Sequence, residues 1–198
     1  LRTVALNEDQ ALQIQKVLRM SIGDKVEVFD GTGDSAVIEL TKISRNSTLG
    51  SVISRGYKDD ETSVVIFQSL PKNPKPELII QKCTELNVGK IVFFVSDHSV
   101  LKVDEISKNK LERWQKIAIE ASEQSGKTSV PEIVFDDRKF SEIIEEVSSK
   151  NYKGITLTDH AYLDVEGEWL KPQKKVENQI SAIFIGPEGG FSKKEKEI

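Results

Sequence analysis

The stretch SAIFIGPEGGFSKKE, from Ser181 to Glu195, joins an apolar run to a glycine loop and then to a helix start. Ala182 to Ile185 is short, apolar and β-rich, the pattern of a strand buried on both faces. Pro187 removes a backbone donor and stops a ladder. Gly189 and Gly190 open backbone angles closed to other residues and let a ligand approach the main chain. Ser192, followed three positions later by Glu195, has the spacing of a capping box, so a helix is expected to start there. Strand, glycine loop and helix N-terminus, in that order, bind nucleotides at the carboxyl ends of α/β strands. The spacing matches neither the dinucleotide nor the P-loop motif, and Glu188 would repel a phosphate. A ligand with hydrogen-bonding edges and a positive or neutral centre suits the loop better. S-adenosylmethionine, a sulfonium carrying adenosine, is one such ligand. An ordinary glycine turn is the competing reading.

A second polar cluster lies in ASEQSGKTSVPEI. Glu123, Gln124, Ser125 and Lys127 crowd the end of a helix before a strand, an acceptor, an amide and a cation that could hold a nucleobase edge and its phosphate. A lysine at a helix end also complements the helix dipole with no ligand involved. Lys72 and Lys75 in PKNPKPE read either as solvated charges or as cations at a strand's carboxyl end. Cys83 shares a helical face with Ile79, Ile80 and Leu86, which makes it a core thiol rather than a nucleophile. His98 and His160 each follow an apolar run, where α/β sites collect, and each reads first as a polar surface histidine. Two histidines and one cysteine, scattered along the chain, give no metal-ligand spacing, so no metal is expected.

These groups must be positioned by a chain of 198 residues with net charge −4, long enough for one or two domains. The acidic balance argues against coating nucleic acid through bulk charge and leaves room for a local basic patch that recognises structured RNA. No apolar run approaches a membrane span and the N-terminus has no signal-peptide character. The single cysteine excludes an internal disulfide, in keeping with a cytoplasmic setting. The chain starts at Leu1 and stops at Ile198, just inside the helix opened by Ser192, so both ends are expected to be incomplete.

The periodicity divides the chain. Asp9 to Met20 reads as a helix with Ala11, Ile14, Val17 and Leu18 on one face. Lys25–Phe29 and Ser35–Ile43 alternate around DGTGD as a hairpin, with a further strand near Leu49–Ser54. YKDDETS is the expected boundary. Beyond it VVIFQSL, KIVFFVS, EIVFDD, GITLTD and AIFIG read as strands. Helices alternate with them in PELIIQKCTELNVG, in a long segment carrying Leu111, Trp114, Ile117, Ala118 and Ala121, and around Phe140–Ser149. That is the pattern of an α/β protein with a largely parallel sheet.

Four stretches in order, QIQKVLRMSIGDKVEVFDGTG, SLPKNPKPELIIQKCTELNVGKI, WQKIAIEASEQSGKTSVPEI and FIGPEGGFSKKE, resemble the bacterial 16S ribosomal RNA uridine-N3 methyltransferases, the RsmE family. The resemblance implies a small PUA-like β-barrel that helps hold RNA, here 1–60, and a SPOUT α/β methyltransferase domain with a deep trefoil knot, here 61–198. The segment that closes the knot is expected beyond Ile198. It further implies a cytoplasmic homodimer that methylates uridine N3 in 16S rRNA, within the assembled small subunit, using S-adenosylmethionine and no metal. The cofactor would lie on Leu157, Thr158, Ile185, Gly186, Pro187, Glu188, Gly189 and Gly190. Gln124 would position the uridine, with Glu123 or Glu188 as the proton acceptor, and Arg19, Lys72 and Lys127 would meet RNA. The chain departs from the family in having Gln13 where histidine is usual, His98 and Lys127 where arginine is usual, and little of the basic N-terminal arm. An RNA-binding module that has lost transfer, and a small-molecule nucleotide enzyme using the same loop, are the alternatives.

Overall fold

The computed structural model describes the chain except for residues 1, 45–46, 59–61, 63, 73, 101 and 164–178. The chain forms two compact units, Leu1–Asp60 with Lys127–Ser129, and Glu61–Gly126 with Val130–Ile198.

The first unit is a four-stranded antiparallel sheet, β1 (Thr3–Leu6), β2 (Lys25–Phe29), β3 (Asp34–Ser44) and β4 (Ser47–Tyr57), in the order β1-β4-β3-β2. Helix α1 (Glu8–Leu12) begins at a reciprocal cap in which Asn7 accepts from Gln10 N and Gln10 from Asn7 N. It then widens into a π-helical turn over Gln13–Val17, closed by the Leu18 N–H bond to Gln13 O at 2.9 Å. The extra residue in that turn rotates Val17 and Leu18 off the buried face. Ala11 and Ile14 are buried as the periodicity predicts, Ile14 against Ile38 and Leu40, but Val17 and Leu18 are 72% and 52% exposed. The β2–β3 hairpin forms as expected. Its glycine turn pairs with Lys127–Ser129, the Gly33 N–H donating to Thr128 O.

The second unit is built on five strands, all parallel: β5 (Val64–Ser69), β6 (Lys90–Phe94), β7 (Glu132–Asp136), β10 (Asp159–Leu163) and β11 (Ser181–Ile185), in the order β10-β11-β5-β6-β7. Every residue of β6 is buried, as a strand covered on both faces requires. One face packs Phe67, Phe94 and Phe184 against Phe140, Ile143 and Ile144 of α4 (Phe140–Ser148). The other packs Ile66, Ile91 and Phe93 against Ile80 of α2 (Lys75–Glu85) and Trp114 and Ala118 of α3 (Lys108–Ser125).

The reading of GITLTD as a sheet strand is corrected. Lys150 and Lys153 take left-handed backbone angles, and the chain makes a two-stranded hairpin, β8 (Asn151–Tyr152) with β9 (Ile155–Thr156). The sheet strand comes after it as DHAYL, an edge strand whose polar residues hid it from a hydrophobicity pattern.

Candidate active site

Because the five strands are parallel, their carboxyl ends gather on one edge of the sheet. There β11 delivers Gly186–Gly190, β5 leads into Leu70 and Lys72, and β6 leads into Ser96, Asp97 and His98. Such an edge is where open α/β sheets bind ligands.

The glycine loop is tied down on three sides. Glu188 Oε1 accepts from Lys75 Nζ at 2.6 Å and from Lys72 N at 3.3 Å. The hydrogen bond from Lys75 holds the Glu188 carboxyl down at about 2, so it is an anchored anion and a weak base. His98 Nδ1 lies 3.1 Å from Gly190 O. Gln68 Nε2, buried at the end of β5, reaches Ser69 O at 2.9 Å and Gly186 O at 3.4 Å. Behind the loop, Ser192 and Glu195 form the expected capping box and open α5 (Lys193–Lys196). The same two side chains hold the β6 loop, Ser192 Oγ donating to Asp97 Oδ2 and Glu195 Oε1 accepting from Asp97 N. The hydroxyls of Ser69, Ser96 and Ser99 complete the floor, within 2.6–3.2 Å of one another.

Ile185 to Gly190 and Lys72 therefore meet on one edge; Lys75 joins them as a cation at a strand's carboxyl end, the second of its two readings, and so does His98, which reads first as a surface histidine. Leu157 and Thr158 are not with them. Leu157 is buried in the core, and Thr158 donates through both its N–H and its hydroxyl to Ile180 O, ahead of β10 and β11 at the opposite edge. The residue of the preceding strand that draws level with Ile185 is Leu163. Gln124 and Glu123 are also remote. Gln115, in the middle of α3, already bonds Pro131 O and Ile133 N at the amino end of β7. Gln124 is nine residues, about 13 Å of helix, further on. Lys127 and Arg19 belong to the first unit, where Arg19 is exposed with a left-handed φ of 51°. Burial pushes the Cys83 thiol up, in keeping with a packing role.

A parallel sheet with a glycine loop anchored at its carboxyl edge defines an α/β protein whose candidate ligand site is that loop. The RNA methyltransferase domain model matches residues 58–198 and the RNA methyltransferase PUA domain model matches 6–52. The ribosomal RNA small subunit methyltransferase E of Bacillus subtilis is 29% identical over 98% of this chain and 77% of its own length. That of Synechocystis is 30% identical over 98% of this chain and 62% of its own length. The methyltransferase E of Neisseria gonorrhoeae, solved bound to S-adenosyl methionine, superposes with a TM-score of 0.81 at 23% identity, over 99% of this chain and 78% of its own. This chain belongs to the RNA methyltransferase family, with a PUA domain preceding the methyltransferase domain.

Proposed function

We propose that this RNA methyltransferase takes a methyl group from S-adenosylmethionine and places it on N3 of a uridine in 16S rRNA. The observation that carries the reading is the Gly186–Gly190 loop at the carboxyl edge of a parallel sheet, inside the matched methyltransferase domain. The names of the relatives supply the small-subunit rRNA.

The residues present suit the donor. Gly189 is exposed, and a Cβ on Gly190 would meet nothing within 4 Å, so main-chain groups of the loop are open to a ligand's edges. The Glu188 charge is balanced by Lys75. Ile185 to Gly190, with Leu163 at the end of β10, would hold the adenosyl group. When bound, S-adenosylmethionine supplies an electrophilic methyl carbon, and the protein's own task is to align N3 with it and receive the N3 proton. Arg19, Lys72 and Lys127 supply cations for phosphate contacts. We place the protein in the cytoplasm as a homodimer acting on the assembled small subunit.

The test is calorimetric titration of S-adenosylmethionine into the full-length protein, followed by transfer of a labelled methyl group to small subunits and to naked 16S rRNA. Binding with transfer to either RNA supports an enzyme, and transfer to the assembled subunit alone fixes the substrate form. Binding of RNA without any transfer would instead leave an inactive RNA-binding module.

A further inference from the structure

We infer that His98 is the general base that receives the N3 proton. The inference rests on the methyl-transfer reading above and names the group that reading leaves open.

Gly190 O is a carbonyl and can only accept, so at 3.1 Å His98 Nδ1 must carry the hydrogen. In the neutral ring that assignment leaves Nε2 without a proton, as an acceptor. A backbone carbonyl fixing one ring nitrogen so that the other can act as a base is how histidine tautomers are commonly set. The ring is exposed, and its Cβ and Nδ1 lie 3.5 and 3.7 Å from where a Cβ on Gly189 would stand. The imidazole thus borders the loop assigned to the methyl donor, and among the described residues its Nε2 lone pair has no hydrogen-bond partner. Its placement is firm, because Asp97 is held by Ser192 and Glu195, and Ser99 by Ser69 and Ser96.

The other candidates fit worse. Glu188 is engaged by Lys75, and Glu123 lies beyond the opposite edge of the sheet. Among the described residues, the charged groups on the elements beside His98 include Asp97 on its own loop, Glu188 with Lys75 at the glycine loop, and Glu195 on α5, the helix that also carries Lys193 and Lys194. In the step, the N3–H proton passes to Nε2 and the N3 electron pair forms the bond to the methyl carbon. The carbon–sulfur pair returns to sulfur, leaving a neutral thioether and an imidazolium that loses its proton to solvent.

His98→Asn is the informative substitution, since its amide N–H can replace Nδ1–H toward Gly190 O while providing no base. Three measurements go together on full-length protein: S-adenosylmethionine affinity, the pH profile of kcat, and long-range proton–nitrogen NMR of the wild-type histidines. The expected result is affinity within about threefold, kcat lowered by about 100-fold or more, loss of the acid limb of the profile, and a wild-type His98 ring with hydrogen on Nδ1 only. Partial recovery of His98→Asn by added imidazole is expected as well. A variant with wild-type kcat and an unchanged acid limb, or a ring carrying its hydrogen on Nε2, overturns the inference. If His98→Asn is active and His98→Ala alone is impaired, the ring only positions the loop and the inference also fails. Absence of transfer by the wild-type protein would instead count against the methyl-transfer reading.

Discussion

Lys75 Nζ meets Glu188 Oε1 at 2.6 Å, joining the first turn of α2 to the glycine loop across 113 positions of sequence. Both side chains are partly exposed, so the pair contributes little to global stability, about 0–1 kcal/mol. Its effect is on the loop. Lys75→Met should leave the melting temperature within about 3 °C and weaken S-adenosylmethionine binding about 3–10-fold, the equivalent of about 0.6–1.4 kcal/mol. Calorimetry and a thermal melt on one sample decide it. An unchanged Kd would mean the pair does not shape the loop.

Gly190 sits at φ +69° with open space where a Cβ would be, so an alanine there is opposed by backbone conformation and not by crowding. Gly190→Ala should cost about 1–2 kcal/mol, read by urea denaturation. The neighbouring Gly189→Ala, with ordinary van der Waals room beside His98, should stay within about 0.5 kcal/mol. Equal effects at the two positions would refute the conformational account.

Much of this was legible beforehand. Buried parallel strands such as KIVFF announce themselves by unbroken hydrophobicity, and the Ser192–Glu195 capping box forms as written. What stayed hidden has specific causes. The strand DHAYL is polar because it lies at a sheet edge, so GITLTD was the more apolar choice and carried Leu157 and Thr158 to the wrong end of the sheet. The partnership of His98 with Gly190 spans 92 positions and depends on two loops meeting, which no local pattern encodes. The π-turn at Gln13–Val17 has no distinctive composition, so a 3.6-residue period misassigned the residues beyond it.

That turn can be tested by the residues it separates. Ile14 is 4% exposed and packs on Ile38 and Leu40, whereas Val17 is 72% exposed. Ile14→Ala should destabilise by about 2–5 kcal/mol, and Val17→Ser should change stability by less than about 0.5 kcal/mol. Chemical denaturation of both variants distinguishes the π-turn from a regular helix, in which both residues would share a buried face.

Asp136, at the carboxyl end of β7, is buried and supports the hairpin that precedes β10. Burial alone would raise its pKa. The two guanidinium hydrogen bonds from Arg138, at 3.0 and 2.8 Å, the one from Tyr152 at 2.8 Å and the one from the Arg138 N–H at 3.2 Å outweigh it, with Lys153 3.3 Å away, and hold the carboxyl well below the usual carboxylate range. A carboxyl depressed in the folded state contributes stability that is fully present above its unfolded value. That contribution is lost as pH falls below about 4 toward the folded value. Asp136→Asn should therefore destabilise at neutral pH and flatten the acid side of the stability profile. We expect about 2 kcal/mol, below the cost of stranding a fully buried cation, because Arg138 can turn to solvent. Tyr152→Phe, which leaves one carboxylate oxygen short of a donor, should cost about 1–2 kcal/mol. Thermal melts from neutral to strongly acid pH provide the check, and an Asp136→Asn profile parallel to wild type through the acid range would show that this carboxylate does not carry the linkage.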